Sequence, residues 1–145
     1  MKTSGYSGTP LARKLGIKQG FKICILNSPD YYYSLFDELP DELQEIEDRE
    51  VKKDFIHYFA SSVAQLEEDL PNLRQEIEEN GMIWVSWPKK TSKIESDLNE
   101  NIIREMALAI GLVDVKVCAV DEVWSGLKLV IRIENRKPTT SPKNK

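Results

Sequence analysis

A chain of 145 residues with 41% hydrophobic and 30% charged side chains has the size and composition of one soluble globular domain, large enough to bury a continuous core without disulfides or metal. No apolar run approaches the roughly 18 residues of a membrane-spanning helix, which excludes that class, and a net charge of −4 argues against nonspecific nucleic-acid binding. With no charged-then-apolar secretory start, the expectation is a cytoplasmic protein with one α/β domain over residues 1–135 and a disordered basic tail over 136–145.

In chain order, Gly5-Tyr6-Ser7-Gly8-Thr9-Pro10-Leu11 is a helix-start signal, with Thr9 as the cap and Pro10 in the first turn. Leu11 and Leu15 give the short helix one apolar face, and Gly16 stops it. Residues 21–26 are apolar almost throughout and predict a strand covered on both faces, as in a parallel sheet flanked by helices. This run holds Cys24, which, like Cys118, reads as a small core hydrophobe rather than a bridge or nucleophile. After Asn27-Ser28-Pro29-Asp30, the aromatic and leucine positions of residues 31–39 predict a helix capped by Ser28 or Asp30. Residues 43–47 predict a short second strand inside an acidic run over 37–50 that reads as a solvated edge. Residues 54–60 predict the next strand; it carries His57, the only histidine, read as structural because a metal needs several ligands and no second histidine or cysteine cluster exists.

Ser62 to Gln65 makes a capping box, and Leu66, Leu70, Leu73 and Ile77 recur at helical spacing, with a bend or restart predicted at Pro71. Asn80 and Gly81 read as helix-stop residues that tolerate positive φ, followed by a core strand through Trp87. Pro88 ends that strand and delivers Lys89 and Lys90 to the surface. A polar loop leads to a second capping box, Asp97 with Glu100, and to a helix with the stripe Leu98, Ile102, Met106 and Ile110, ended by Gly111. Two strands follow, 115–120 and 127–134, joined by a connection too short for a parallel crossover and therefore antiparallel.

This alternation describes a three-layer α/β domain with a mostly parallel sheet ending in an antiparallel hairpin, and it looks like a shortened class I methyltransferase-type Rossmann fold. In such a sheet ligands sit outside the carboxyl ends of the strands. Those ends carry Ser28, Ser61, Lys89 and Lys90, and the hairpin turn brings Asp121, Glu122 and Trp124 to the same rim. The expected site is a non-catalytic one for a small anionic or zwitterionic ligand, with these seven residues in contact and no catalytic or metal-binding residue. The competing reading is plain: lysines and acids on a rim make solvated salt bridges, and Trp124 packs the hairpin onto the sheet. S-adenosylmethionine is disfavoured on this reading, because the first strand-to-helix turn, Leu26-Asn27-Ser28-Pro29-Asp30, lacks the glycines that let backbone approach a cofactor, and Pro29 removes an N–H. Glu47 or Asp48 does fall about twenty residues on, where a ribose-binding acid belongs. Two alternatives stand beside the anion site: a degenerate S-adenosylmethionine-dependent methyltransferase, and a protein-interaction module forming a homodimer through a sheet edge or the tryptophan-bearing hairpin. A nucleophile-based hydrolase is disfavoured by the absence of a Gly-x-Ser-x-Gly elbow.

Three blocks carry a family likeness: residues 5–11 as quoted above; Trp84-Val85-Ser86-Trp87-Pro88-Lys89-Lys90; and residues 116–130, Lys-Val-Cys-Ala-Val-Asp-Glu-Val-Trp-Ser-Gly-Leu-Lys-Leu-Val. Together they resemble the bacterial family called domain of unknown function 3052, over nearly the whole chain from Gly5 to about Ile133. The resemblance implies a stand-alone bacterial cytosolic protein and brings no activity, substrate or catalytic residue with it.

Overall fold

The computed structural model describes residues 10–136, so the predicted cap Thr9 and all but the first residue of the predicted tail over 136–145 lie outside the described residues. Six strands form one sheet in the order β2-β1-β3-β4-β6-β5. They are β1 (Lys22–Leu26), β2 (Gln44–Glu45), β3 (Lys53–Phe59), β4 (Ile77–Pro88), β5 (Leu112–Ala119) and β6 (Trp124–Ile131). The first four run parallel, while β6 is antiparallel to both β4 and β5. The short loop between β5 and β6 permits nothing else. The sheet is flanked by helices, a Rossmann-like arrangement that closes on an antiparallel pair, as its element pattern predicts.

Helices α2 (Val63–Gln75) and α3 (Glu100–Ala109) cover one face, where Leu66, Leu70, Leu73, Ile103 and Ala107 pack on Ile56, Ile83, Val85, Leu127, Leu129 and Ile131. The Ser62 Oγ accepts the Gln65 N–H at 3.1 Å, and the Gln65 side chain reaches back to the Ser61 N–H at 3.1 Å, so α2 starts as its capping residues predict. Pro71 stays inside a continuous α2 instead of breaking it, and Ile77 already belongs to β4. The cap of α3 is Asn99, whose Oδ1 accepts the Ile102 N–H at 2.9 Å. Asp97 reaches elsewhere: its Oδ1 accepts the Val63 N–H at 2.8 Å, tying the segment before α3 to the start of α2.

The other face carries α1 (Leu11–Leu15) and a 3-10 turn, Tyr32–Leu35. Leu15 and Ile17 pack on Ile23, Phe55, Met82 and Trp84, and the Trp84 indole N–H donates to the Leu15 carbonyl at 2.8 Å. The helix predicted over 31–39 is only this 3-10 turn, capped by neither Ser28 nor Asp30. Its N–H groups bond three residues back, Tyr32 to Pro29 and Ser34 to Tyr31, and Pro40 disfavours helical backbone at Leu39. A second departure lies in β4, where a two-residue step along β3, Lys53 to Phe55, matches a five-residue step along β4, Ile77 to Met82. Gly81 sits in this irregularity without positive φ; a Cβ there would lie 2.9 Å from the Lys53 carbonyl oxygen, so glycine is required by close approach and not by a helix stop.

Buried polar groups are matched across the layers. His57 is fully buried between β1 and β4, its Nδ1 2.9 Å from the Tyr32 hydroxyl and its Nε2 2.7 Å from Ser86 Oγ. Desolvation pushes the imidazole down to about 3, so it is neutral, which suits a structural histidine.

Candidate functional site

The carboxyl ends of β1, β3 and β4 and the β5–β6 turn share one rim, as a parallel sheet with a final antiparallel strand requires. Pro88 lies opposite Trp124 in the ladder, and the Lys89 N–H donates to the Val123 carbonyl at 2.7 Å, so the lysine segment and the tryptophan turn are neighbours. Asp121 shapes that turn: its Oδ1 accepts the N–H groups of Val123 and Trp124, both at 2.8 Å. Trp124 is buried, edge-on to Phe59 with ring centroids 5.0 Å apart, in a cluster with Tyr32 and Val120. The Tyr31 hydroxyl meets both the Asp121 carboxylate and the Trp124 indole, and its phenol is pushed up to about 12 by burial and then by Asp121.

Lys89 and Lys90 line a hollow of about 410 Å³ with Pro88, Ile94, Asp97 and Asn99, beside the start of α3. Asp121 and Trp124 do not line it; they bond and pack within the turn. Glu122 is exposed on the turn, and Ser28 and Ser61 are half-buried in the loops after β1 and β3. The seven residues thus share a rim, with Lys89 beside the turn, but only the two lysines border a common hollow.

A second cleft, of about 260 Å³, opens between β1 and α2. Leu26 and Asn27 come from the end of β1, Glu47 from just beyond β2, Tyr58 from β3, and Asp69 and Asn72 from α2. The spacing of Asp69, Asn72 and Glu76 puts these polar side chains on one flank of the helix and its end. Beneath them Lys53, with no exposed surface, pairs with Glu76 at 3.1 Å and donates to the Asp48 carbonyl at 2.9 Å, while Arg49 holds the other Glu76 oxygen at 2.9 Å. The Tyr58 hydroxyl donates to the Asp69 carboxylate; burial, then this bond, pushes the phenol up. Burial also pushes the Cys24 thiol up, which keeps it protonated, as a core thiol should be. Of these residues only Glu47 carries a sequence signal, its distance from the first strand; Asp69 and Asn72 gain meaning from the docking of α2 beside β1.

Among the described residues no group of three or more His, Cys, Asp or Glu side chains is placed to hold a metal ion, and no helix is long and apolar enough to cross a membrane.

The family model described as protein of unknown function, DUF3052, matches residues 28–133. Comparison with curated proteins gave no match. Among solved structures, the chain is similar to magnesium protoporphyrin IX methyltransferase from Synechocystis PCC 6803 with bound SAH, at a TM-score of 0.55 and 10% identity over 78% of this chain and 75% of that one. It is also similar to a TehB-like SAM-dependent methyltransferase from Corynebacterium glutamicum ATCC 13032, at a TM-score of 0.54 and 14% identity over 89% and 91% of the two chains. A SAM-dependent methyltransferase from Aquifex aeolicus gives a TM-score of 0.54 and 11% identity over 83% and 87%. At these identities the likeness is one of fold.

These likenesses correct the reading that disfavoured S-adenosylmethionine. Several structures with this fold are of SAM-dependent methyltransferases. Asn27 makes the turn out of β1 with φ of 59°, the left-handed conformation that glycine would otherwise supply, and its side chain donates to the Phe59 carbonyl at 3.3 Å.

Proposed function

We propose, from the premise that this chain belongs to the DUF3052 family and has a methyltransferase-like fold, that it is a domain of the S-adenosylmethionine-dependent methyltransferase type whose adenosyl ligand lies in the cleft between β1 and α2. One observation carries the reading: the cleft opens where the strand order reverses, with β2 on one side of β1 and β3 on the other, and three of its ten lining residues, Glu47, Asp69 and Glu76, are carboxylates. Arg49 and the buried Lys53 both pair with Glu76, which leaves Glu47 and Asp69 as the carboxylates to meet a cationic sulfonium and a hydrogen-bond-donating ribose. In this arrangement Glu47 accepts from the ribose hydroxyls, Leu26 offers an apolar wall, and the Asn27 turn brings backbone close to the ligand. S-adenosylmethionine, when bound, supplies an electrophilic methyl group. The chain's own residues bind and orient; the Tyr58 phenol and the Cys24 thiol stay protonated beside the ligand. Titration calorimetry with S-adenosylmethionine and S-adenosylhomocysteine tests this. Binding that Glu47→Gln weakens about tenfold, the loss of one charge-assisted hydrogen bond, is the expected result. No heat at millimolar ligand, or affinity unchanged in the variant, refutes it.

A second reading rests on the hollow beside α3, where Lys89 and Lys90 offer two ammonium groups to a small anion. It is a binding site on the same rim, and a metabolite thermal-shift screen in which hits are lost in Lys89→Gln/Lys90→Gln supports it. Hits that persist in that variant remove it.

A further inference from the structure

Lys116 and Lys128 lie on the face of the β5–β6 hairpin below α1. Lys116 and Lys128 are direct cross-strand partners, so their side chains leave the sheet on the same face, against the end of α1. The Lys116 ammonium donates to the Lys14 carbonyl at 2.9 Å, and the Lys128 ammonium would lie 3.8 Å from a Cβ added at Gly16. Among the described residues none of the ion pairs involves Lys14, Lys18, Lys116 or Lys128. Like charges placed directly across two strands destabilise a sheet, and a single backbone carbonyl does not neutralise them. Lys128 shows the strain: burial, then Lys116 and Lys18, push its ammonium down from the ordinary lysine value. The half-buried Cys118 lies on the same face and also feels Lys14 and Lys116.

We infer that Lys116 and Lys128 form a binding site for a small, multiply charged phosphate compound on the α1 side of the hairpin. Lys116 and Lys128 stand side by side across the ladder, and the whole chain carries −4, which repels a long polyanion; a compact oligophosphate satisfies both facts. Lysine is suited to such a ligand, since its ammonium meets phosphate as a point charge without fixed orientation. This site is distinct from the cleft beside β1 and from the lysines at the rim, and it does not depend on either.

The test is thermal unfolding of the full chain with sodium tripolyphosphate, set against sodium sulfate at matched ionic strength and a DNA duplex at matched phosphate concentration. Tripolyphosphate at tenfold excess over its Kd is expected to raise Tm by about 5 °C. Lys116→Gln and Lys128→Gln should each abolish the rise, while Lys89→Gln/Lys90→Gln keeps it. Without ligand, Lys128→Gln should melt no lower than the parent chain, because it removes a repelled charge. Lys116 is exposed, so its variant folds and carries the test if the other does not. An equal rise with sulfate, a larger one with the duplex, no rise at 10 mM tripolyphosphate, or a rise untouched by Lys116→Gln overturns the inference.

Discussion

An imidazole in the middle of a sheet is retained only if it is neutral and satisfied on both nitrogens, and His57 meets both conditions through Tyr32 and Ser86. The folded chain holds this group neutral down to about pH 3, whereas an unfolded histidine protonates near pH 6.5. The unfolded state therefore takes up the extra proton as the pH falls, so this contribution is complete above about pH 6.5 and is lost progressively toward pH 3. Between pH 7 and pH 5 the loss is about 2 kcal/mol, readable by urea unfolding at several pH values. His57→Gln keeps an amide that can bond to both neighbours but does not titrate. Its stability should fall less steeply with acid, by about one proton, and equal slopes for the two proteins would show that His57 is not the group responsible.

The elements show which signals survive isolation from the fold. Apolar runs and connection lengths suffice for β1, β3, the part of β4 after Gly81 and the antiparallel sense of the hairpin, because strand burial and the geometry of a short loop are local constraints. The segment after β1 was not legible in this way: its aromatic spacing imitates a helix, while Pro29, Pro40 and the burial of Tyr32 against His57 and Phe59 hold it in a 3-10 turn. Asp97 and Asn99 are both good caps by type, and only the packed position of α2 decides that Asp97 serves Val63. The same holds at the site. Lys89 and Lys90 are legible from Pro88, but the cleft beside β1 exists only once α2 has docked, so Asp69 and Asn72 carry no mark in the sequence. Gly81 is the element-scale test of this packing. A methyl group there meets three backbone carbonyls, those of Lys53, Asp54 and Glu78, none of which is a flexible side-chain end. Gly81→Ala should cost about 2 kcal/mol or more, seen as a lower urea midpoint at an unchanged slope. A variant as stable as the parent would mean that the β3–β4 irregularity yields without cost.

Among the described residues charge is spread unevenly across the sheet. Exposed acids crowd the β2 side, among them Asp41, Glu42, Glu45, Glu47, Asp48 and Glu50, while Lys116 and Lys128 sit on the hairpin at the opposite end of the sheet. The β2 edge is only two residues long, Gln44–Glu45, with a row of like charges around it. An open sheet edge is a template onto which another chain can add, and brevity with charge is the usual protection. Replacing Glu45 by threonine and Asp41 by asparagine removes two of these charges and leaves Glu42, with its φ of 64°, in place; light scattering at neutral pH should then rise with protein concentration while the parent chain stays clear. A clear solution of the variant would place the protection elsewhere. The acidic run on this view acts as a gatekeeper: it holds a sheet that could grow by accretion of further chains to the width of a single molecule.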